Sequence, residues 1–412
     1  MRSRIIFALC FISVVVGQPS FTAADINTDA DGLYNIHVAD MDNDGDLDIL
    51  SASFTDATIA WYENDGAADP SWTAANIVTN ATGASNVSAA DMDNDGDMDI
   101  LTVSANDDQV RWYENDGAVN PSWTAITISS AADYVEGLYQ ADLDNDGDID
   151  VISASYSDDK LAWYENDGAA DPSFTTRNIS TSVNGANSVF AADLDNDGDI
   201  DILVTAHTDD IIYWYENDGA ADPSFAQRTV ASSEDEARCV YAADMDNDGD
   251  MDVIGAIEIE DRIVWYENDG AADPSFTANS ITTSADQAVS VFAIDIDRDG
   301  DMDLVSASSN DDKIAWYEND GAADPSFTTR SIATSADYAK AVFAADMDND
   351  GDIDIISGSY NDDAIAWYEN TSTAGGITAW TAATISTNSD EPHSVDAADV
   401  DGDGDMDVLS AS

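Results

Sequence analysis

Apolar and polar positions alternate in short runs along this 412-residue chain, and the runs return at a fixed interval. In the stretch from Ala341 to Ser386, Ala341–Ala345 is a brief apolar segment leading into an Asp-rich loop at Asp346. Ile353–Ser359 leaves that loop as a second segment. Asn361, Asp362 and Asp363 then supply turn chemistry, because their side chains bond nearby backbone. Ile365–Asn370 is an aromatic, alternating third segment, and Trp380–Ser386 follows a polar loop as the fourth. Short runs bounded by turn residues, without helical periodicity, read as strands. Four such strands per ~50 residues predict an all-β fold built from β-propeller blades. A β-helix coil repeats faster than this, a sandwich has no reason for a fixed period, and the glycine pairs of kelch blades are missing.

The repeat is most visible in an Asp-rich nonapeptide. It begins at Asp40 (DMDNDGDLD) and returns every 51 residues at Asp91, Asp142, Asp193, Asp244, Asp295 and Asp346. An eighth copy starts at Asp399 after a two-residue slip. A regular period of this size marks a modular array whose units bury their apolar faces against one another. The first strand, the loop and the second strand occur eight times, whereas the Trp-Tyr-Glu-Asn strand occurs seven times, at Trp61, Trp112, Trp163, Trp214, Trp265, Trp316 and Trp367. Pro19–Ile26 aligns with the fourth strand at Pro70–Ile77, and an N-terminal strand completing a C-terminal blade is a common way to seal a ring. That arithmetic predicts eight blades. Seven blades with surplus end strands is the alternative.

The first 17 residues read as a secretory signal peptide, which leaves 18–412 as one propeller domain whose last blade is incomplete. Arg2 and Arg4 form the basic start, Ile5–Val16 the apolar core, and Gly17 a small residue suited to cleavage. The apolar run is too short to span a bilayer, and no transmembrane segment is expected in the mature chain. The expected location is secreted, extracellular or at the cell surface. Removing Cys10 with the signal leaves Cys239 as the only cysteine, so no intrachain disulfide staples the fold.

Charge sharpens the picture. There are 85 acidic residues against 12 basic ones, for a formal net charge of -73. Such a chain is no nucleic-acid binder, because phosphate recognition needs clustered Lys and Arg. Salt adaptation competes as an explanation for acids outside the loops. Inside them, five carboxylates within nine residues call for a cation, and calcium, which takes six to eight hard oxygens, suits alternate Asp positions. About one ion per repeat is expected. The candidate ligands are Asp40, Asp42, Asp44, Asp46 and Asp48; Asp91, Asp93, Asp95, Asp97 and Asp99; Asp142, Asp144, Asp146, Asp148 and Asp150; and Asp193, Asp195, Asp197, Asp199 and Asp201. The later loops add Asp244, Asp246, Asp248, Asp250 and Asp252; Asp295, Asp297, Asp299, Asp301 and Asp303; Asp346, Asp348, Asp350, Asp352 and Asp354; and Asp399, Asp401, Asp403, Asp405 and Asp407. The first, third, fifth and ninth positions would offer side-chain oxygens, the seventh its backbone carbonyl, and Gly351 and its equivalents the sharp reversal. The loop is not an EF-hand, since position 12 is Ser357 rather than Glu.

The repeated Asp-x-Asp-x-Asp-Gly-x-x-Asp loop at blade spacing resembles the FG-GAP-like (VCBS-type) repeat family, whose best-known members form the head of integrin α subunits. The resemblance covers nearly the whole mature chain. It implies that the loop joins the first two strands of each blade and holds calcium. The Phe-Gly and Gly-Ala-Pro signatures of that family are absent, Arg298 replaces the usual Asn in the sixth loop and Gly402 does so in the eighth.

Other residues point less sharply. The Trp-Tyr-Glu-Asn strands read as inter-blade packing rather than a sugar-stacking platform. His37, His207 and His393 fall in different units, Cys239 in an apolar strand, and no nucleophile or zinc motif occurs. No catalytic residues and no organic cofactor are assigned, so the chain is expected not to be an enzyme. Alternate loops of an up-and-down propeller lie on opposite faces. The calcium loops share one face with the Asp-Gly-Ala-Ala-Asp-Pro turns, and the other face collects turns that differ between units. There lie Phe54, Tyr134, Glu136, Tyr156, His207, Glu234, Arg238, Glu258, Tyr338, Lys340 and Glu391. The resulting expectation is a secreted, calcium-binding, non-catalytic adhesion or ligand-binding module for an extracellular protein or polysaccharide. Two alternatives are a carbohydrate-active propeller enzyme, such as a polysaccharide lyase, and a repeat spacer of a larger cell-surface protein.

Overall fold

The computed structural model describes residues 33–45, 48–66, 71–346, 351–361, 364–370, 383–384, 395–398 and 407–410. Every regular element among them is a strand. In the first blade Leu33–Ala39, Asp48–Ser53, Thr58–Asn64 and Trp72–Val78 pair in chain order, each antiparallel to the next. The same four-stranded sheet recurs seven times. The innermost strands are Leu33–Ala39, Ala84–Ala90, Val135–Ala141, Ala186–Ala192, Ala237–Ala243, Ala288–Ile294 and Ala339–Ala345. Each packs beside the innermost strand of the next blade, so together they line a central channel.

Burial follows distance from that axis. The second strand of every blade is buried along its whole length, as in Asp150–Ser155. The outermost strand is largely exposed, as in Phe174–Ser180. Apolar clusters lie between blades rather than within them: one joins Leu101, Val103 and Trp112 to Val135, Val151 and Tyr164 of the following blade. The third-strand Trp61, Trp112, Trp163, Trp214 and Trp265 each meet an aromatic of the next blade's outer strand edge-on, with Trp112–Phe174 centroids at 6.1 Å and Trp214–Phe276 at 6.2 Å. Inter-blade packing is therefore what these tryptophans do.

The fold is an all-β propeller of seven four-stranded blades, not the eight inferred from counting loops. The eighth repeat contributes Val395–Ala398 and Asp407–Ser410, a two-stranded sheet packed between the innermost strands of the seventh and first blades. Among the described residues this repeat forms these two strands and no four-stranded sheet. The closing strand expected at Pro19–Ile26 lies outside the described residues, as does the signal peptide. Among the described residues no helix is long and apolar enough to cross a membrane.

Candidate metal loops and central channel

Each Asp loop folds by bonding its own backbone. The first carboxylate accepts from the glycine N–H five residues on, at 2.8–3.1 Å in all seven described loops. The residue at position four takes a left-handed backbone, with φ near 60° at Asn43, Asn94, Asn145, Asn196 and Asn247, and Gly96 follows at φ 96°. Such values suit Asn and Gly. The turn brings carboxylate oxygens of Asp40, Asp42 and Asp48, and of Asp91, Asp93 and Asp99, within 4.8 Å of one another. In the third and fourth loops the clustered groups are Asp142, Asp144 and Asp146, and Asp193, Asp195 and Asp197.

The ninth Asp has a second task that the sequence did not announce. Its Oδ2 accepts from the backbone N–H of loop position two at 3.0–3.2 Å, as for Met41 on Asp48 and Leu194 on Asp201. Its Oδ1 accepts from the N–H of the Asn that ends the third strand, at 2.5–2.9 Å. Burial raises these carboxyls to about 8 for Asp48 and Asp303 and to about 7 for Asp99, Asp150, Asp201 and Asp252, against the pull of those backbone donors. Asp42 and Asp297 rise to about 6, from burial first and neighbouring carboxylates second. Asp42 Oδ1, Asp144 Oδ1, Asp193 Oδ1 and Asp297 Oδ1 are buried without a hydrogen-bond donor. Orphaned, converging hard oxygens of this kind fit a divalent cation such as calcium.

The seventh Asp turns its side chain away from this cluster. Asp97, Asp148, Asp199, Asp250 and Asp301 accept through Oδ1 from the position-four Asn of the preceding loop, at 2.5–2.8 Å. The Asn of each Trp-Tyr-Glu-Asn strand also reaches across: Asn115, Asn166, Asn217, Asn268 and Asn319 donate to the position-two carbonyl of the preceding blade at 2.8–2.9 Å. The loops are thus linked into a belt around one face. In the sixth loop Arg298 takes the Asn position, and its longer side chain lies 3.9 Å from Asp346 of the next loop. The Glu of the third strand stands near the third Asp and adds to its negative field, as Glu63 does at Asp42. Glu165, Glu216 and Glu318 in turn accept from Arg177, Arg228 and Arg330 at 2.7–2.9 Å. Asp46, Asp348, Asp350, Asp399, Asp401, Asp403 and Asp405 lie outside the described residues, and Asp407 is described only as strand backbone.

At the centre of the ring the repeat symmetry breaks. Each innermost strand carries a register shift near its start, placing one extra residue opposite its partner strand; the shift falls between Val135 and Gly137, Ala237 and Cys239, and Ala339 and Ala341. Such bulges re-aim a side chain. Tyr34, Ser85, Glu136, Asn187, Arg238, Val289 and Lys340 occupy this position and line one cavity of about 120 Å³. All stand six residues before an Asp loop, and His393 holds the same offset in the eighth repeat, outside the described residues. Three residues farther along five of the strands, Tyr139, Phe190, Tyr241, Phe292 and Phe343 contact one another in sequence, tilted or edge-on, with centroids 4.0–5.2 Å apart; His37 and Ser88 hold that position in the first two blades.

Inside the cavity Glu136 accepts from Tyr34 Oη at 2.9 Å and from Asn187 Nδ2 at 3.2 Å. Arg238 lies 3.8 Å from Glu136 and 4.0 Å from Glu258, beyond hydrogen-bond reach of both. Burial, helped by Arg238, lowers the Lys340 ammonium to about 7. Burial also lowers His207, which sits 3.8 Å from Glu236 and 4.0 Å from Glu258 with Tyr156 edge-on to its ring. Cys239, expected to be buried, is half-exposed beside the cavity, and burial of its sulfur raises its thiol. Of the variable-face residues, Glu136, Arg238, Lys340, Glu258 and His207 come together, Glu234 pairs with Arg262 instead, and Glu391 lies outside the described residues. A sequence signal for the cavity existed: one column, six residues before each loop, differs in every repeat.

The FG-GAP-like repeat profile matches residues 40–102, 102–153, 142–204, 194–255, 254–306, 297–357 and 346–410. The chain belongs to the FG-GAP-like repeat family. A search of curated proteins gave no match. Among solved structures, this propeller is similar to a protein from Lactobacillus plantarum (16% identity, TM-score 0.59, 82% of this chain and 97% of that one). It is also similar to the periplasmic gluconolactonase PpgL of Pseudomonas aeruginosa (15% identity, TM-score 0.58, 83% and 97%). A third is virginiamycin B lyase from Staphylococcus aureus (11% identity, TM-score 0.55, 81% and 94%). At these identities the likeness shows the fold alone.

Proposed function

We propose that this FG-GAP-like propeller is a secreted, calcium-stabilised binding module that recognises an extracellular protein or polysaccharide without transforming it. The observation that carries the reading is the contrast between its two ends. One face repeats the same carboxylates and the same cross-blade bonds, which serve order. Away from that face, the bulge column from Tyr34 to Lys340 carries a different side chain in every repeat, which is what recognition of one partner requires. Calcium would be held by the first, third, fifth and ninth Asp of each loop; when bound, it supplies the positive charge that lets these carboxylates stay ionised together.

A second reading, a carbohydrate-active enzyme, has support in one observation: Arg238, Lys340, His207, Glu136 and Glu258 stand around one opening, and such mixed titratable groups are the material of acid–base chemistry. The test is to incubate the calcium-loaded full chain with immobilised neutral and acidic polysaccharides, following retention and the appearance of new chain ends. Retention without cleavage supports the module. Cleavage assigns the enzyme instead, and absence of both removes polysaccharide as the partner.

A further inference from the structure

Seven near-identical strands present seven different bulge residues to one small space, in a chain whose other buried positions are repeated almost unchanged. Two of the chain's 12 cationic residues, Arg238 and Lys340, stand there. Lys340 is only 6% exposed. Among the described residues its ammonium has no hydrogen-bond acceptor and no carboxylate within ion-pair distance; Nζ lies 4.6 Å from the centre of the Tyr338 ring. A buried ammonium without an acceptor is expensive to keep, so its donors point to something that arrives from outside. Glu136 does not serve that need, because it stands beyond ion-pair distance of Lys340 while Tyr34 and Asn187 donate to it. Farther along five of the seven strands, Tyr139, Phe190, Tyr241, Phe292 and Phe343 follow one another in ring contact. Towards the other end, sharing Tyr34 as a common wall, lies a wider vestibule of about 490 Å³ lined by Phe54, Tyr134 and Tyr360. Phe54 is stacked on Tyr34 at 5.0 Å.

We propose that the channel binds a carboxylate-bearing ring compound, its carboxylate received by Lys340 and Arg238 and its ring resting against the aromatic vestibule. A planar guanidinium and an ammonium lining one small cavity offer donors to two carboxylate oxygens, and flat aromatic walls accept either the C–H face of a sugar or an aromatic ring. The shared chemistry is a ring acid; a uronic acid and an aromatic acid are its two sources. The proposal deepens the binding-module reading and rests on it for the choice of end, while naming its own site.

The test is calorimetric titration of the calcium-loaded full chain with glucuronate and with benzoate. Glucose and benzamide serve as uncharged controls, and inorganic phosphate as a rival anion. Binding of either acid at a single site, without its neutral control, is expected, and whichever acid binds names the source. Lys340→Met should weaken it by about tenfold or more, whereas Lys340→Arg, which keeps the charge, should stay within about threefold of the parent. Thermal melts in calcium establish that both variants are folded. No binding of either acid by the folded chain, equal binding of acid and neutral control, unchanged affinity in Lys340→Met, or tighter binding of phosphate would each overturn the proposal. Polysaccharide or protein retention that survives in Lys340→Met would overturn the channel site and leave the binding module standing. Acid binding at the channel with no macromolecule retained would do the reverse.

Discussion

The two ends of this propeller spend the same building block differently. At the loop face, one nonapeptide is copied with its ligand positions intact, and each copy bonds the next through Asn166 to Met92, Asn217 to Leu143 and their equivalents. Every group there has a partner within its own or the adjacent repeat, or converges on a neighbouring carboxylate. At the channel, the backbone is copied just as faithfully, bulge included, but the side chain on the bulge is not. Repetition of backbone builds a ring, while variation at one column gives that ring a chemical identity. Stability and recognition are thereby separated along a single strand: three residues beyond the bulge, the column becomes Tyr139, Phe190 and Tyr241, in ring contact with one another.

The sharpest way to break this contrast is to strip the loops of cation. At tenfold excess over Kd each bound ion contributes about 1.4 kcal/mol, so seven loops together give on the order of 10 kcal/mol. Chelation should accordingly lower the melting temperature steeply, and calorimetric titration back into the stripped chain should count about one ion per repeat. An unchanged melt would return the acids to salt adaptation. Single cuts at the loop face are milder. Asp201→Asn leaves either the Leu194 or the Asn217 backbone N–H facing an amide NH₂, and should cost about 1–3 kcal/mol by denaturant unfolding. Asn166→Ala removes donors to both Met92 and Ile149 across and within the blade, and about 1 kcal/mol should be lost. A loss no larger than that of an exposed outer-strand substitution would mean the belt does not hold blades together.

At the channel the sign reverses. Lys340→Met should leave the melting temperature at neutral pH unchanged or higher, because it removes a buried ammonium that lacks an acceptor. Its effect appears instead in pH dependence. The folded-state ammonium, faced by Arg238, Glu258 and Glu136, titrates at about 7, against 10.5 for the free side chain. Between those values the unfolded chain holds a proton that the folded chain has released, so this group makes stability rise with pH, by up to about 1.4 kcal/mol per unit. Below about pH 7 both states are protonated and the slope vanishes. The parent should show this rise relative to Lys340→Met between pH 7 and pH 10; parallel stability curves would contradict the assignment of a depressed Lys340.

Much of the molecule was legible as sequence because its determinants lie close together in the chain. Strand, loop, strand and aromatic strand recur with the spacing of one blade, and the left-handed turn at Asn94 and Gly96 is set by local chemistry. The loop's metal-ligand pattern is contained in nine residues. What escaped the reading were contacts beyond the loop itself: the bond from Asn217 to Asp201 within one blade, and between blades the reach of Asn43 to Asp97 and the meeting of His207 with Glu258. The blade number escaped for a related reason. Counting loops gave eight, whereas the described strands assemble into seven four-stranded sheets and the eighth repeat pairs Val395–Ala398 with Asp407–Ser410 in a two-stranded one.

By itself, the chain's periodic pattern determined an all-β propeller with Asp-rich turns at one end of every blade, since alternation, turn residues and carboxylate spacing act over a few residues. Only the tertiary structure decided that Tyr34, Glu136, Arg238 and Lys340, each 102 residues or more from the next, share one cavity. Closing the ring brings the same bulge of every blade to a common axis, and no property of any one repeat contains that meeting.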